Sequence, residues 1–85
     1  MAMIICERVF SKPLTLADFN GAGAVLSPCL DVRGIRWISS SLSTDGTRSV
    51  CKFEAPDAES VREANRAAGL PFERVWAATE LRPEG

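Results

Sequence analysis

The sequence has no histidine among its 85 residues. This absence removes the side chain that most often serves as a general base and as a ligand for transition metals. No apolar run approaches the roughly 20 residues that a membrane span needs. The formal net charge is only −1, which gives no electrostatic reason to expect nucleic acid or an anionic membrane as a partner. The sequence therefore predicts contact with neither.

Cysteine is also scarce, and its three occurrences show no pattern typical of a metal site. Cys6, Cys29 and Cys51 form no Cys-x-x-Cys motif, and no other metal-ligand spacing is present. The first six residues run directly into Glu7 and Arg8, unlike a signal peptide, so we expect reduced thiols in the cytoplasm. Cys6 and Cys51 lie on strands that should be neighbours. We interpret both as buried structural residues, with a soft-metal or redox pair as the alternative, and we predict no cofactor.

What the sequence does contain is a hairpin signal at Asp45-Gly46. A type I′ turn needs positive φ at both central residues, which Asp and Gly tolerate. Counting outward from this turn predicts the register of the two flanking strands. One face should carry the more apolar pairs, which are Ile38–Phe53, Ser40–Cys51 and Leu42–Ser49. The other face should carry the mixed pairs Trp37–Glu54, Ser39–Lys52 and Ser41–Val50.

A predicted helix lies on each side of this hairpin. Thr15 and Asp18 form a capping-box pattern, and apolar residues at helical spacing follow it, which predicts a helix over about 16–26. Asp57 is the predicted N-cap of the second helix. Gly69 should end that helix in the left-handed conformation.

Strands are also predicted at 3–10 and 72–81, so the order of elements is β-α-β-β-α-β. Right-handed crossovers bring the strands together in the order 4-1-3-2. This arrangement is an α+β fold, the ferredoxin-like sandwich, with an antiparallel four-stranded sheet in one domain over 1–85. Both helices should cover the same face. The other face, the open face, should carry Trp37 and pair with a second copy in a homodimer of the dimeric α/β-barrel kind.

Five segments of the chain recur together in a known family. They are Ile-Cys-Glu-Arg-Val-Phe from Ile5, Gly-Ile-Arg-Trp-Ile-Ser-Ser from Gly34, Asp45-Gly46, Cys-Lys-Phe-Glu-Ala-Pro from Cys51 and Ala-Gly-Leu-Pro from Ala68. In this order and spacing they resemble the small bacterial nickel-binding-protein-like family of ferredoxin-like domains, whose members are mostly of unknown function. The resemblance implies the same fold, a dimer and a possible metal site.

The second strand departs from the pattern of that family. Members typically read Trp, a variable residue and then His-Ser-Tyr, where this chain has Trp37, Ile38, Ser39, Ser40 and Ser41. Serine hydroxyls are poor ligands for nickel or zinc, so nickel binding is not carried over to this chain. The resemblance therefore implies only where a site would lie on this chain, namely on the mixed face around Ser39.

The open face is therefore predicted to hold a pocket for a small ligand. The candidate residues combine one aromatic side chain with hydroxyls and charges: Glu7, Trp37, Ser39, Ser41, Lys52 and Glu54. The aromatic ring would supply apolar contact, and the polar groups would orient the ligand. As an alternative, the two glutamates form ion pairs with Lys52 or Arg8.

Two other functions stay open at this point. One is a cofactor-free enzyme of the monooxygenase-like or isomerase-like kind, which the same architecture supports by analogy. The other is a purely structural or protein-interaction dimer. No catalytic residue and no metal ligand is predicted.

Overall fold

The computed structural model of the protein describes residues 1–84. Its elements are β1 (Ala2–Val9), α1 (Leu16–Asp31), β2 (Arg36–Leu42), β3 (Arg48–Ala55), α2 (Ala58–Ala67) and β4 (Arg74–Ala78). They form an antiparallel four-stranded sheet in the order β2-β3-β1-β4. The predicted ferredoxin-like fold and its strand order, read from the opposite edge, are confirmed.

β1 occupies the middle of the sheet because its side chains are apolar on both sides. Ile4 and Cys6 are fully buried on the face that the helices cover, the covered face. Ile5 points to the open face but is only 8% exposed, since it lies between Lys52 of β3 and Trp76 of β4. Both faces of this strand therefore contribute to packing.

α1 begins as the sequence predicts and is longer than predicted. The Thr15 hydroxyl accepts a hydrogen bond from the Asp18 backbone N–H at 3.0 Å, and the Asp18 carboxylate accepts one from the Thr15 N–H at 3.2 Å. This capping box satisfies two N–H groups that the first turn leaves free. The helix then runs through Pro28. It continues because Leu26 and Leu30, one turn apart, are both buried in the core.

α2 agrees with its predicted caps and inward face. The Asp57 carboxylate accepts a hydrogen bond from the Ser60 backbone N–H at 2.8 Å. At the other end Gly69 has φ +71°, a left-handed conformation that glycine adopts without steric cost. The buried side chains of the helix are those of Val61, Ala64 and Asn65. The core between the helices and the sheet centres on Ile4, Leu26, Phe53 and Val61.

The hairpin turn differs from the predicted type I′ turn. Only Gly46 has positive φ, at +77°, and Asp45 does not. The Asp45 carboxylate instead accepts hydrogen bonds from the Ser43 hydroxyl and from the hydroxyl and backbone N–H of Thr47, which lower its pKa to about 2. These bonds hold the turn in an Asx-type conformation. The predicted register is nevertheless correct from Leu42–Ser49 to Ser39–Lys52.

A β-bulge at Ile38 overturns the register beyond Ser39. Trp37 lies opposite Phe53, and Arg36 lies opposite Glu54, so the predicted pairs Ile38–Phe53 and Trp37–Glu54 are wrong. A bulge places one extra residue on its strand and so changes which face the following side chains occupy.

The prediction that Trp37 lies on the open face is therefore also wrong. Its ring centroid is 5.5 Å from that of Phe19 in α1 and 6.0 Å from that of Phe53. A Cβ atom built on Gly23 of α1 would lie 3.4 Å from the indole ring. The bulge is favoured because it places this large apolar ring beneath the helix.

Candidate functional site

The predicted pocket on the open face does not form as expected. The bulge places Trp37 on the covered face, whereas strand register places the other five candidates on the open face: Glu7, Ser39, Ser41, Lys52 and Glu54. Of those five, only Ser41 borders a cavity that Trp37 also lines. The other four lack the aromatic wall that the prediction assigned to them.

The charged candidates on the open face already have partners. Glu7 lies 3.4 Å from the Arg74 guanidinium, and Lys52 lies 2.6 Å from Glu80. A third pair, between Glu54 and Arg36, has an N–O distance of 3.3 Å. The alternative of ion pairs thus describes this surface better, although the predicted partners, Lys52 and Arg8, are wrong.

Trp76 is an aromatic residue of the open face that was not among the predicted site residues. Its indole Nε1 donates a hydrogen bond to Glu7 Oε2 at 2.8 Å, and 45% of the residue is exposed. The alternation of β4 contains the signal for it. Because Val75 is buried, its neighbours Arg74 and Trp76 must point to the opposite face.

A partly open cavity of about 370 Å³ lies on the covered face, between α1 and the ends of β1, β2 and β3. One side of α1 lines the cavity. The sheet, the β1–α1 loop and the segment after α2 form the rest of its wall. Its apolar lining includes Phe10, Leu14, Phe19, Ala22, Leu26, Trp37, Leu42 and Leu70.

A short chain of hydrogen bonds runs along the wall that the sheet forms. Trp37 Nε1 donates to Ser40 Oγ at 2.8 Å, and Ser40 Oγ donates to Cys51 Sγ at 3.1 Å. Ser49, which also lines the cavity, is 8% exposed. A largely apolar cavity with a few fixed polar groups is the usual composition of a small-molecule site.

Arg8 brings a positive charge to the same cavity. Nη1 donates a hydrogen bond to the Pro71 carbonyl at 2.9 Å, and Nη2 donates one to Asn65 Oδ1 at 2.5 Å. Asn65 is itself fully buried, and its Nδ2 donates to the Val61 carbonyl. Arg8 is 9% exposed, and within residues 1–84 no carboxylate lies in salt-bridge distance of its guanidinium.

The two buried thiols, those of Cys6 and Cys51, lie on neighbouring strands, as predicted. Cys6 lies opposite Cys51 in the β1–β3 register. Burial raises the pKa of the Cys6 thiol to about 11, against the effect of the nearby Arg8 charge, so Cys6 stays protonated and weakly nucleophilic. In the described part of the chain, no three Cys, Asp or Glu side chains come together as metal ligands.

Residues 10–14, the roof loop, form part of the cavity wall, to which Phe10 and Leu14 contribute. The Phe10 N–H donates to the Thr47 carbonyl and the Leu14 N–H to the Gly46 carbonyl, each at 2.8 Å. A Cβ atom on Gly46 would lie 3.0 Å from Pro13 Cβ, so only glycine permits this close approach. These two backbone hydrogen bonds and the close Gly46–Pro13 contact hold the roof loop against the hairpin tip.

Comparison with known proteins places the chain in a family. A family model described as "Nickel responsive protein SCO4226-like" matches residues 4–77. The crystal structure of SCO4226 from Streptomyces coelicolor A3(2) superposes with a TM-score of 0.85 at 14% identity, covering 95% of this chain and 100% of that one. A search of curated proteins finds no match. No helix in residues 1–84 is long and apolar enough to cross a membrane. The chain belongs to the SCO4226-like family of nickel-responsive proteins.

Proposed function

We propose that this protein is a small-molecule-binding module whose ligand lies in the cavity beneath α1. The observation that supports this proposal is the cavity itself, at about 370 Å³ and mostly apolar. Ligand pockets in proteins typically measure about 300–1,000 Å³ and combine apolar walls with a few polar groups. Here Trp37, Phe19 and Leu26 provide apolar contact.

The proposed ligand site lies on the covered face and not on the open face as predicted. An aromatic ring still supplies apolar contact, and polar groups still orient the ligand. Trp37 still contributes apolar surface, now on the covered face. Orientation comes from Ser40, Ser49 and Arg8 rather than from the charged residues of the open face, which form ion pairs with one another. A polar group in an apolar cavity fixes a ligand because leaving it unpaired is costly.

Nickel does not fit the donors that this chain offers. The family takes its description from a nickel response, and nickel prefers imidazole and thiolate ligands. The sequence has no histidine. The buried Cys6–Cys51 pair has no third Cys, Asp or Glu ligand beside it in residues 1–84. We therefore propose an organic ligand rather than the metal.

A cavity-filling substitution tests the location of the ligand. Ala22 of α1 lines the cavity, whereas Ala24 of the same helix is exposed outside it. Ala22→Leu should weaken binding of a neutral fluorescent probe such as N-phenyl-naphthylamine at least about tenfold, because it occupies the space directly. Ala24→Leu should leave binding unchanged. Equal probe binding by both variants, or no binding by the wild-type protein, would contradict the proposal.

We also propose a homodimer through the open face. Three apolar side chains of this face are exposed by roughly half: Val9 (52%), Val50 (44%) and Trp76 (45%). Apolar side chains gathered on one uncovered sheet face favour association.

Sedimentation equilibrium tests the homodimer. The wild-type protein should have twice the mass of one chain, and Val50→Asp should shift it to the monomer. Val25→Asp is the matched control, because Val25 is 51% exposed on α1 in the opposite layer. A wild-type monomer, or the same shift in both variants, would contradict an interface on the open face.

A further inference from the structure

Building on the proposed function, we infer that the ligand is an amphipathic carboxylic acid whose carboxylate binds Arg8 at the inner wall of the cavity. The cavity has two chemically different parts. Most of the side chains that line it are apolar. Among the lining residues only Arg8 carries a formal charge. A ligand that complements both parts needs an apolar body and a single negative charge.

Arg8 has no counter-charge within residues 1–84. Its known acceptors are the Pro71 carbonyl and the Asn65 amide oxygen, both uncharged. A buried cation is costly unless an anion compensates it. Glu7, its neighbour in sequence, points to the open face and pairs with Arg74. Within residues 1–84 no carboxylate pairs with Arg8, so its charge is left for an anionic ligand to pair with.

The Arg8 guanidinium also has N–H donors beyond those in its two hydrogen bonds. A guanidinium has five N–H groups in a planar fork, and the two hydrogen bonds to Pro71 and Asn65 leave three of them for another acceptor. Pro71 also lines the cavity, so the guanidinium end of Arg8 lies at its wall. Ser49 is the direct cross-strand neighbour of Arg8 and lines the same cavity. The two residues form a polar corner suited to a carboxylate.

The charge of the cavity lining favours a carboxylate over a phosphate. Both match the guanidinium fork. A phosphate monoester carries about −1.5 to −2 charges at pH 7, and the cavity lining offers one cation and no second. A carboxylate balances the single charge of Arg8, whereas a phosphate would leave excess negative charge in an apolar space.

Calorimetric titration with octanoate and octanol tests this assignment on the wild-type protein. The two molecules share one hydrocarbon chain and differ in the head group. Octanoate should bind at least about tenfold more tightly, since a hydrogen bond to a charged partner is worth more than one to a neutral partner. Equal affinities, or tighter binding of octyl phosphate, would overturn the inference. Absence of binding by both molecules would instead overturn the proposed function.

Two variants test the role of Arg8. Arg8→Met should reduce octanoate affinity to the level of octanol and leave octanol within about twofold of the wild-type value. Arg62→Met is the control, because Arg62 also donates to a backbone carbonyl, that of Val75, but does not line the cavity. Equal loss of octanoate and octanol affinity in Arg8→Met would overturn the inference.

Asn65→Asp tests the same role of the Arg8 charge without removing Arg8, in case Arg8→Met does not fold. It retains Arg8 and places a carboxylate at the position that already accepts from the guanidinium. The added charge neutralises the cation in place, so octanoate affinity should fall about tenfold while octanol affinity stays unchanged. Unchanged octanoate affinity in this variant would show that the charge of Arg8 does not bind the ligand.

Discussion

The two faces of the sheet hold their charges in opposite ways. On the open face Glu7, Lys52 and Glu54 each form an ion pair at the surface. On the covered face Arg8 is buried against neutral acceptors. Water screens the exposed pairs, but it does not screen a buried cation to the same extent. The covered face, which has fewer charges, is therefore the one with a charge that the proposed ligand could pair with.

The largest expected contrast between the faces is in packing. Phe53→Ala removes a fully buried ring from the covered face and should lower the free energy of unfolding by about 3 kcal/mol or more. Ser41→Ala, on the exposed side, should change it by less than about 0.5 kcal/mol. Urea denaturation measures both. Equal losses at the two positions would show that the faces are not distinguished by burial.

The thiol on the covered face adds a pH dependence to this contrast. Burial raises the pKa of Cys6 from 9.0 to about 11, so the unfolded chain releases this proton at lower pH than the folded chain does. Its contribution to stability is complete below pH 9 and is lost as the pH rises through about 11. The loss should be on the order of 2 kcal/mol.

Urea unfolding across this alkaline range tests the effect. Cys6→Ala should remove that part of the pH dependence, whereas Cys29→Ala retains the buried Cys6 thiol and should leave that dependence in place. A wild-type stability that stays constant from pH 9 to pH 11 would contradict the expected titration.

The hydrogen bonds that line the cavity should show a smaller effect. Ser40→Ala leaves Trp37 Nε1 without its acceptor, which should cost about 1 kcal/mol. Ser39→Ala is the control on the exposed side of the same strand and should cost less than about 0.5 kcal/mol. Trp37 emission in a Trp76→Phe background should shift only for Ser40→Ala. Equal responses would show that the wall of the cavity does not depend on this bond.

The smallest effect is expected at an exposed ion pair of the open face. Arg36→Gln and Glu54→Gln should each lower stability by at most about 1 kcal/mol, because both side chains are substantially exposed. A double-mutant cycle should give a coupling energy that disappears at high salt. A coupling that salt leaves unchanged would indicate that this pair is not screened by water.

The elements governed by local chemistry could be predicted from the sequence. Thr15, Asp57 and Gly69 act within one or two turns of their own helices, so their roles follow from residue type and position. The register from Ser39 to Leu42 is also correct. Although the turn itself is of another type, the number of residues between the strands is unchanged, and this number sets the pairing.

The elements that depend on distant packing could not be predicted. The Ile38 bulge arises where Trp37 meets Phe19 and Gly23, which lie on a helix more than a dozen positions earlier. The cavity likewise combines residues from separate segments of the chain. The pair Glu7-Arg8 did contain a usable signal, because adjacent residues of a strand point to opposite faces of the sheet. One of the two charges must therefore lie on the covered face, where an unpaired cation is unusual.

The hydrogen bonds that hold the roof loop in place do not involve the side chains that would face the proposed ligand. Its two bonds to the hairpin tip join backbone atoms of Phe10 and Leu14 to backbone atoms of Thr47 and Gly46. Backbone hydrogen bonds do not depend on the identity of the side chains that the same residues present to the cavity. Substitutions at positions 10 and 14 should thus change the size of the proposed ligand that fits the cavity without detaching the loop. Such a scaffold allows selectivity to diverge through a few point changes while the architecture stays intact.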